Sequence, residues 1–323
     1  MRIIEKLLKV AGLLVVLFVV GFSVFWFSLP VDVSFAEHKQ SIPHSQYSKF
    51  AEVNGVRLHY QEKGAGVPLV LIHGYGASTY SWRDVFDPLS EKFRVVAVDL
   101  KGFGFSAKPD GDYSRREQSA LVDGLLDHLN IDKAWLVGSS MGGEVSLNLA
   151  LRNANRVEGL ILIDSAGVKS VKSGSITPSQ FEIPFLGRAF AALALVSDRL
   201  VRENLEKSFF DDSKVTDEIV GMYHIPLQTN YGQRAALRAK GQWDLYPIEN
   251  ELSKISVPTL LLWGAEDVVT PIEGGKKMNA LIKNSEFVVF EKCGHLPQEE
   301  MPEETIAEIL KFTGKREKSD ETQ

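Results

Sequence analysis

Residues 138–143 read Gly-Ser-Ser-Met-Gly-Gly and follow the apolar run Ala134-Trp135-Leu136-Val137. A serine with a glycine two residues to either side, between a strand and a helix, fits a tight turn that lifts its hydroxyl above a sheet. Gly138 and Gly142 then stand where a Cβ would strike the neighbouring strand and helix. Serine is a poor nucleophile near neutral pH, so Ser140 needs a base, and the base needs an orienting acid. Asp267, in Trp263-Gly264-Ala265-Glu266-Asp267, and His295, in Cys293-Gly294-His295, each follow an apolar run. In that arrangement the imidazole takes the Ser140 proton and later returns it to a leaving group. Asp267 fixes the tautomer and stabilises the imidazolium.

Other readings of these residues stay open. Asp164 also ends an apolar run and is the rival acid. Asp267 could merely cap a helix beginning near Pro271, and His295 could be a loop histidine. Glu266 reads as a solvated neighbour. Asp99 precedes Gly102 and Gly104 and reads as a turn-stabilising residue. A tetrahedral oxyanion needs two preorganised donors. The expected pair is the backbone N–H of Met141, directly after the serine, and that of Tyr75 in His73-Gly74-Tyr75-Gly76. Because Tyr75 would contribute only its main chain, it is expected to tolerate Phe. His73 is expected to brace that loop, and Cys293 to serve packing.

The elements that must position these residues alternate along the chain. Asn54-Gly55 between alternating apolar residues predicts a hairpin over 53–60. Buried strands are predicted at 68–72, 93–100, 134–137, 159–164, 258–263 and 286–290, with helices at about 115–129 and 141–151. Strands apolar on both faces and alternating with helices predict an α/β fold, a mostly parallel sheet covered on both sides. Between Asp164 and Val257 lie about ninety residues without a convincing strand. They predict a helical cap over about 168–245. Its Phe181, Phe185, Phe190, Phe209, Phe210, Met222 and Tyr223 either form the cap's own core or line an acyl pocket or membrane contact.

The amino terminus differs in kind. Residues 1–9 form a basic flank, and Val10 to Leu29 are twenty residues without a charge. That is enough for a helix across a bilayer, and a transmembrane anchor is expected there. Arg2, Lys6 and Lys9 place the amino terminus in the cytoplasm and the rest outside it, with Trp26 near the far interface. Two rival readings are a signal peptide cleaved near Ser34-Phe35-Ala36, giving a secreted protein, and a buried core helix. Residues 30–48 read as a polar linker, 49–313 as the folded domain and 314–323 as a charged tail. With 36 basic against 42 acidic residues and no basic stripe, nucleic acid is not an expected partner. The single cysteine excludes an intramolecular disulfide framework and a cysteine-rich metal site.

Over residues 50–313 the chain resembles the α/β-hydrolase superfamily. The resemblance rests on five ordered motifs: His73 to Gly76, Asp99 to Ser106, Gly138 to Gly143, Trp263 to Asp267, and Gly294-His295. Within it the chain is similar to the serine-nucleophile lipase/esterase and meta-cleavage-product C–C hydrolase branch. The anchor and elbow together are similar to membrane-anchored monoacylglycerol lipases. Lys101 departs from the arginine usual in the family's Asp-x-Arg-Gly turn, which weakens a structural contact. The family's haloalkane dehalogenases and epoxide hydrolases carry aspartate where this chain has Ser140. The resemblance implies a carboxylic-ester hydrolase, acting on monoacylglycerol or another lipid ester through an acyl-enzyme on Ser140, without metal or cofactor. Its alternatives are a C–C bond hydrolase with the same triad and a non-catalytic binding protein on this fold.

Overall fold

A computed structural model describes residues 2–169, 197–243 and 247–320. The expected cap aromatics Phe181, Phe185 and Phe190 lie outside the described residues, as does the side chain of Trp26. Eight strands form one sheet: β1 Ser48–Val53, β2 Val56–Lys63, β3 Pro68–Ile72, β4 Arg94–Val98, β5 Ala134–Ser139, β6 Val157–Ile163, β7 Thr259–Gly264 and β8 Ser285–Phe290. Their spatial order is β1-β2-β4-β3-β5-β6-β7-β8. The pairings of β2 with β1 and with β4 are antiparallel, and all others are parallel. The predicted hairpin joins β1 to β2 through Asn54 and Gly55, both at positive φ, as its tight turn requires.

Residues alternate between the two faces of the central strands, and both faces are covered. Val70, Ile72, Val96, Val98, Leu136, Leu160 and Leu162 pack on one side with helices α4 Arg115–His128 and α5 Met141–Arg152. Leu69, Leu71, Val95, Ala97, Val137, Ile161 and Ile163 pack on the other, against α3 Arg83–Ser90 and the long carboxyl-terminal helix that includes Ile309 and Phe312. Burial on both faces is why these strands read as unbroken apolar runs rather than as alternating patterns. The chain reverses its direction across the sheet at β3, which has β4 on one side and β5 on the other. The carboxyl ends of β3 and β5 therefore flank a crevice, the usual place for a ligand in an open α/β sheet.

Helix α1 Arg2–Ser28 precedes the sheet and includes Ile4–Val24, a stretch apolar and long enough to span a membrane, with none of it buried against the rest of the chain. The helix also takes in the basic flank, where Lys9 bonds Glu5 one turn earlier at 2.7 Å. Residues 30–48 are held against the folded domain at several points. The Pro30 and Val31 carbonyls accept the Asn230 and Tyr231 amides at 2.9 and 3.0 Å, and Asp32 pairs with the buried Lys108 at 2.9 Å. Short helix α2 Phe35–His38 presents Phe35 to Phe50, His59 and Phe105, and Ile42 is buried. The described part of the cap contains α6 Arg199–Ser208, α7 Asp217–His224 and α8 Asn230–Gly241.

Candidate active site

Ser140 stands alone between β5 and α5 with φ 52° and ψ −115°. A non-glycine residue there is strained by about 1–3 kcal/mol and persists only where its surroundings fix it. They do: its amide bonds the Ile163 carbonyl at 2.9 Å, and its own carbonyl accepts from Ala166 at 2.9 Å. The two flanking glycines are required by close approach. A Cβ at Gly142 would lie 1.9 Å from the Ile72 carbonyl oxygen, and one at Gly138 would lie 2.4 Å from the Gly142 oxygen.

His295 and Asp267 meet as expected, with Nδ1 of the imidazole 2.8 Å from Oδ2 of the carboxylate. With Nδ1 donating to Asp267, Nε2 is the ring atom left to accept a proton. Asp267 Oδ1 accepts from the Val269 and Thr270 amides at 2.7 and 3.0 Å, and Oδ2 also faces the Thr270 hydroxyl at 2.6 Å. Burial alone would raise the Asp267 pKa. The charge and hydrogen bond of His295, with hydrogen bonds from Asp164 and Thr270, outweigh it and hold the carboxyl below its ordinary range.

Asp164, the rival acid, comes to the same place. One polar side-chain atom each of Asp164, Asp267 and His295 lies within 4.8 Å of the others. Asp164 Oδ1 accepts the Gly264 amide at 3.0 Å, and among the described residues no amide, hydroxyl or basic group donates to its buried Oδ2. Burial and the adjacent Asp267 charge push its pKa well above the usual carboxylate range. Two neighbouring buried carboxyls resist ionising together, and their surroundings push the two apart, Asp164 upward and Asp267 downward. The three groups have the chemistry of metal ligands, and two of them, His295 through Nδ1 and Asp267 through Oδ2, are bonded to each other.

Thr270 was not among the residues singled out from sequence. Its hydroxyl lies between Asp267 Oδ2, the Asp164 carbonyl at 3.0 Å and His295 Nδ1 at 3.2 Å. One hydroxyl carries one proton, so it donates to one of these oxygens at a time. The available signal was its place three residues after Asp267, the spacing of a side chain that closes a turn on its own backbone. Glu299 and Glu300 were also missed. Both are buried directly after the His295 loop, in a run whose composition reads as an exposed helix start.

The loop after β3 is braced as expected. His73 Nδ1 lies 2.7 Å from the Gly74 carbonyl, and its Nε2 accepts the Leu100 amide at 3.0 Å. Asp99 serves its turn, accepting the Thr79 and Phe105 amides at 2.6 and 2.8 Å and pairing with His59 at 2.7 Å. Among the described residues, the Tyr75 and Met141 amides donate to no protein acceptor. Tyr75 lines the cavity beside Ser140, whereas Met141 is fully buried behind it. The Tyr75 phenol has a task the sequence did not disclose: it donates to the Ala236 carbonyl on α8 at 2.9 Å, tying this loop to the cap. Lys101 lies 3.4 Å from Glu117 and over the Tyr113 ring. Cys293 is buried, which pushes its thiol far above the ordinary range.

Ser140 and His295 both line a cavity of about 640 Å³. Among the described residues no hydrogen bond joins the two, and such contacts commonly tighten only with substrate bound. The cap supplies apolar walls, including Leu200, Val201, Leu205, Leu227 and Leu237, with Trp243 beside them. Of the expected cap residues, Phe209 and Met222 belong to the cap's own core. Tyr223 reaches the cavity wall, and Phe210 is 49% exposed.

A profile described as alpha/beta hydrolase fold matches residues 67–302. An uncharacterized hydrolase of Bacillus subtilis, YugF, is 34% identical over 80% of this chain and 96% of its own length. The 2-hydroxy-6-oxo-6-(2'-aminophenyl)hexa-2,4-dienoic acid hydrolase of Metapseudomonas resinovorans is 30% identical over 83% of this chain and 91% of its own length. Among solved structures, a bacterial membrane phospholipase A described as a virulence factor is similar with a TM-score of 0.72 and 27% identity. That likeness covers 97% of this chain and 96% of the other.

Proposed function

The chain belongs to the alpha/beta hydrolase fold family, and on that footing we propose that it is a membrane-anchored serine hydrolase of carboxylic esters, with lipid esters such as monoacylglycerol as its substrates. The observation that carries this reading is the His295–Asp267 bond, with His295 at the wall of the apolar cavity that Ser140 also lines.

In this reading the Ser140 hydroxyl attacks the ester carbonyl while His295 Nε2 takes its proton. The oxyanion is held by the Tyr75 and Met141 amides. Collapse expels the alcohol, which leaves with the proton returned by His295. Water then repeats the cycle, releasing the acid from the acyl-enzyme. Asp267 keeps Nδ1 protonated throughout, and Asp164 stays neutral, so that one negative charge faces the imidazolium. No metal or cofactor takes part.

The lipid preference is supported by the cavity's apolar walls and by the N-terminal helix. The likeness to the membrane phospholipase A reaches into that helix, since it covers 97% of the chain. Arg2, Lys6 and Lys9 at its start orient the amino terminus to the cytoplasm and the cavity to the other side. A second reading, hydrolysis of a C–C bond in a vinylogous diketone by the same groups, is favoured by the 30% identity to the dienoic acid hydrolase.

The test is an ester series from acetyl to palmitoyl, with monoacylglycerol, in detergent and with Ser140→Ala as blank. Serine-dependent turnover that favours medium or long chains supports the proposal. Turnover of a dienoate ring-fission product with none of any ester moves the assignment to C–C cleavage.

A further inference from the structure

We infer that Glu300 is a positioning residue for His295, and that the cap acts on the reaction through it. The inference rests on the reading of His295 as the general base.

Glu300 ends the short helix Pro297–Glu300 that follows the His295 loop, and it is 3% exposed. Its carboxylate gathers backbone amides from two separate parts of the chain. Gly294, next to His295, donates to Oε2 at 2.9 Å. From the cap, Phe210 donates to both oxygens at 3.0 Å and Asp211 to Oε1 at 3.0 Å. Hydrogen bonds to a charged acceptor are about twice as strong as neutral ones. A single anion therefore fastens the histidine loop to the end of the cap.

Two further contacts show how tight that junction is. The His295 amide itself bonds the Ser208 carbonyl, the last residue of α6, at 2.6 Å. A Cβ at Gly294 would lie 2.4 Å from that same oxygen and 2.8 Å from the Phe210 nitrogen, so only glycine allows the approach. Beside it, Glu299 accepts from the Tyr223 hydroxyl of α7 and from Ser81 and Arg83 at 2.7 and 2.5 Å.

The backbone bearing the imidazole is thus held on its cap side by Ser208, Phe210 and Asp211, while Asp267 holds the ring from the sheet side. Residues 208–211 cannot swing away without carrying the His295 loop with them. A shift of about 1 Å at such a group costs on the order of 10²-fold in rate. Glu300 touches neither the cavity nor the reacting atoms, so its effect falls on turnover rather than on binding.

The experiment compares wild type with Glu300→Gln, in which one acceptor becomes a donor facing amide donors. Glu300→Asp, which keeps the charge and withdraws it by one methylene, is the milder variant should the first fail to fold. Both are measured for kcat and KM on a short-chain ester and for amide hydrogen exchange at Gly294, Phe210 and Asp211. The expected result is faster exchange at those three amides and a kcat lowered by about 10- to 100-fold, with KM within about twofold. Glu300→Asp should fall between wild type and Glu300→Gln in both readouts. Loosened amides with kcat unchanged would overturn the inference, as would rapid exchange of those amides in the wild type. If Ser140→Ala keeps full ester turnover, the reading of the site itself fails, and the amide data show that failure to be separate.

Discussion

Asp164 and Asp267 meet as a buried pair of carboxyl groups beside His295, with burial and the Asp267 charge pushing Asp164 upward in pKa while His295 pulls Asp267 downward. Both end or follow strands of the sheet, and sequence alone left either one eligible as the acid. Of the two, Asp267 is the one bonded to the imidazole, at 2.8 Å.

Asp267→Asn should lower kcat by about 10³- to 10⁴-fold, because Asn brings no negative charge to an imidazolium and its NH2 can donate to Nδ1, favouring the wrong tautomer. Asp164→Asn should cost less than about threefold, because a side-chain amide replaces a carboxyl whose surroundings favour its neutral form. Ester turnover of the two variants decides the matter. The opposite pattern would make Asp164 the acid.

The same pair predicts how stability varies with pH. Asp164 has a folded pKa raised above its ordinary value of 3.8, so folding takes up a proton, and stability declines as pH climbs from that value through the folded one. Asp164→Asn should therefore melt higher than wild type at neutral pH, with the gain shrinking toward pH 4. Asp267 is the reverse case: its depressed pKa adds stability above its ordinary value, lost as pH falls through the folded one. Melting curves of Asp267→Asn against wild type should converge only in strong acid.

Tyr75→Phe keeps the backbone amide but removes the hydroxyl that reaches Ala236 at 2.9 Å. Short-ester kcat should change by less than about twofold, while stability falls by roughly 1 kcal/mol for the lost bond. Limited proteolysis should find α8 cut sooner. A Phe variant as resistant as wild type would show that the bond does not hold the cap.

Gly142→Ala places a methyl 1.9 Å from a backbone oxygen of β3 and should destabilise the fold by about 3 kcal/mol or more. Denaturant titration reads this directly. A loss under about 1 kcal/mol would mean that the elbow can open away from β3.

Two truncations separate anchoring from docking. Removing residues 1–29 should release protein from membranes and leave melting unchanged. Removing residues 1–32 also deletes the carbonyls that bond Asn230 and Tyr231 and the Asp32 partner of Lys108, and should lower the melting temperature by several degrees. Equal melting of the two would make the junction energetically silent.

Much of this architecture is legible in the chain because its signals are local. The central strands announce themselves as apolar runs, the hairpin as Asn54-Gly55, and the elbow as glycines at fixed offsets from Ser140. Phe35 gives no such signal: its partners Phe50, His59 and Phe105 lie far away in sequence, and the residues around it have no periodicity. Glu300 reads as a solvated charge until the fold brings it the amides of residues 210 and 211. The antiparallel placement of β2 between β1 and β4 is likewise a matter of which neighbour pairs with it, and residue type does not encode that choice.

The stretch between α1 and the cap has almost no slack. The apolar helix ends at Ser28, and from Pro30 onward the backbone is already bonded to residues 230 and 231. With α1 in a bilayer, the domain would be tethered within a residue or two of the helix end rather than floating on a long linker. Each residue inserted between Ser28 and Pro30 would add up to about 3.5 Å of reach, making spacer length a dial for how deep a substrate can lie and still be taken.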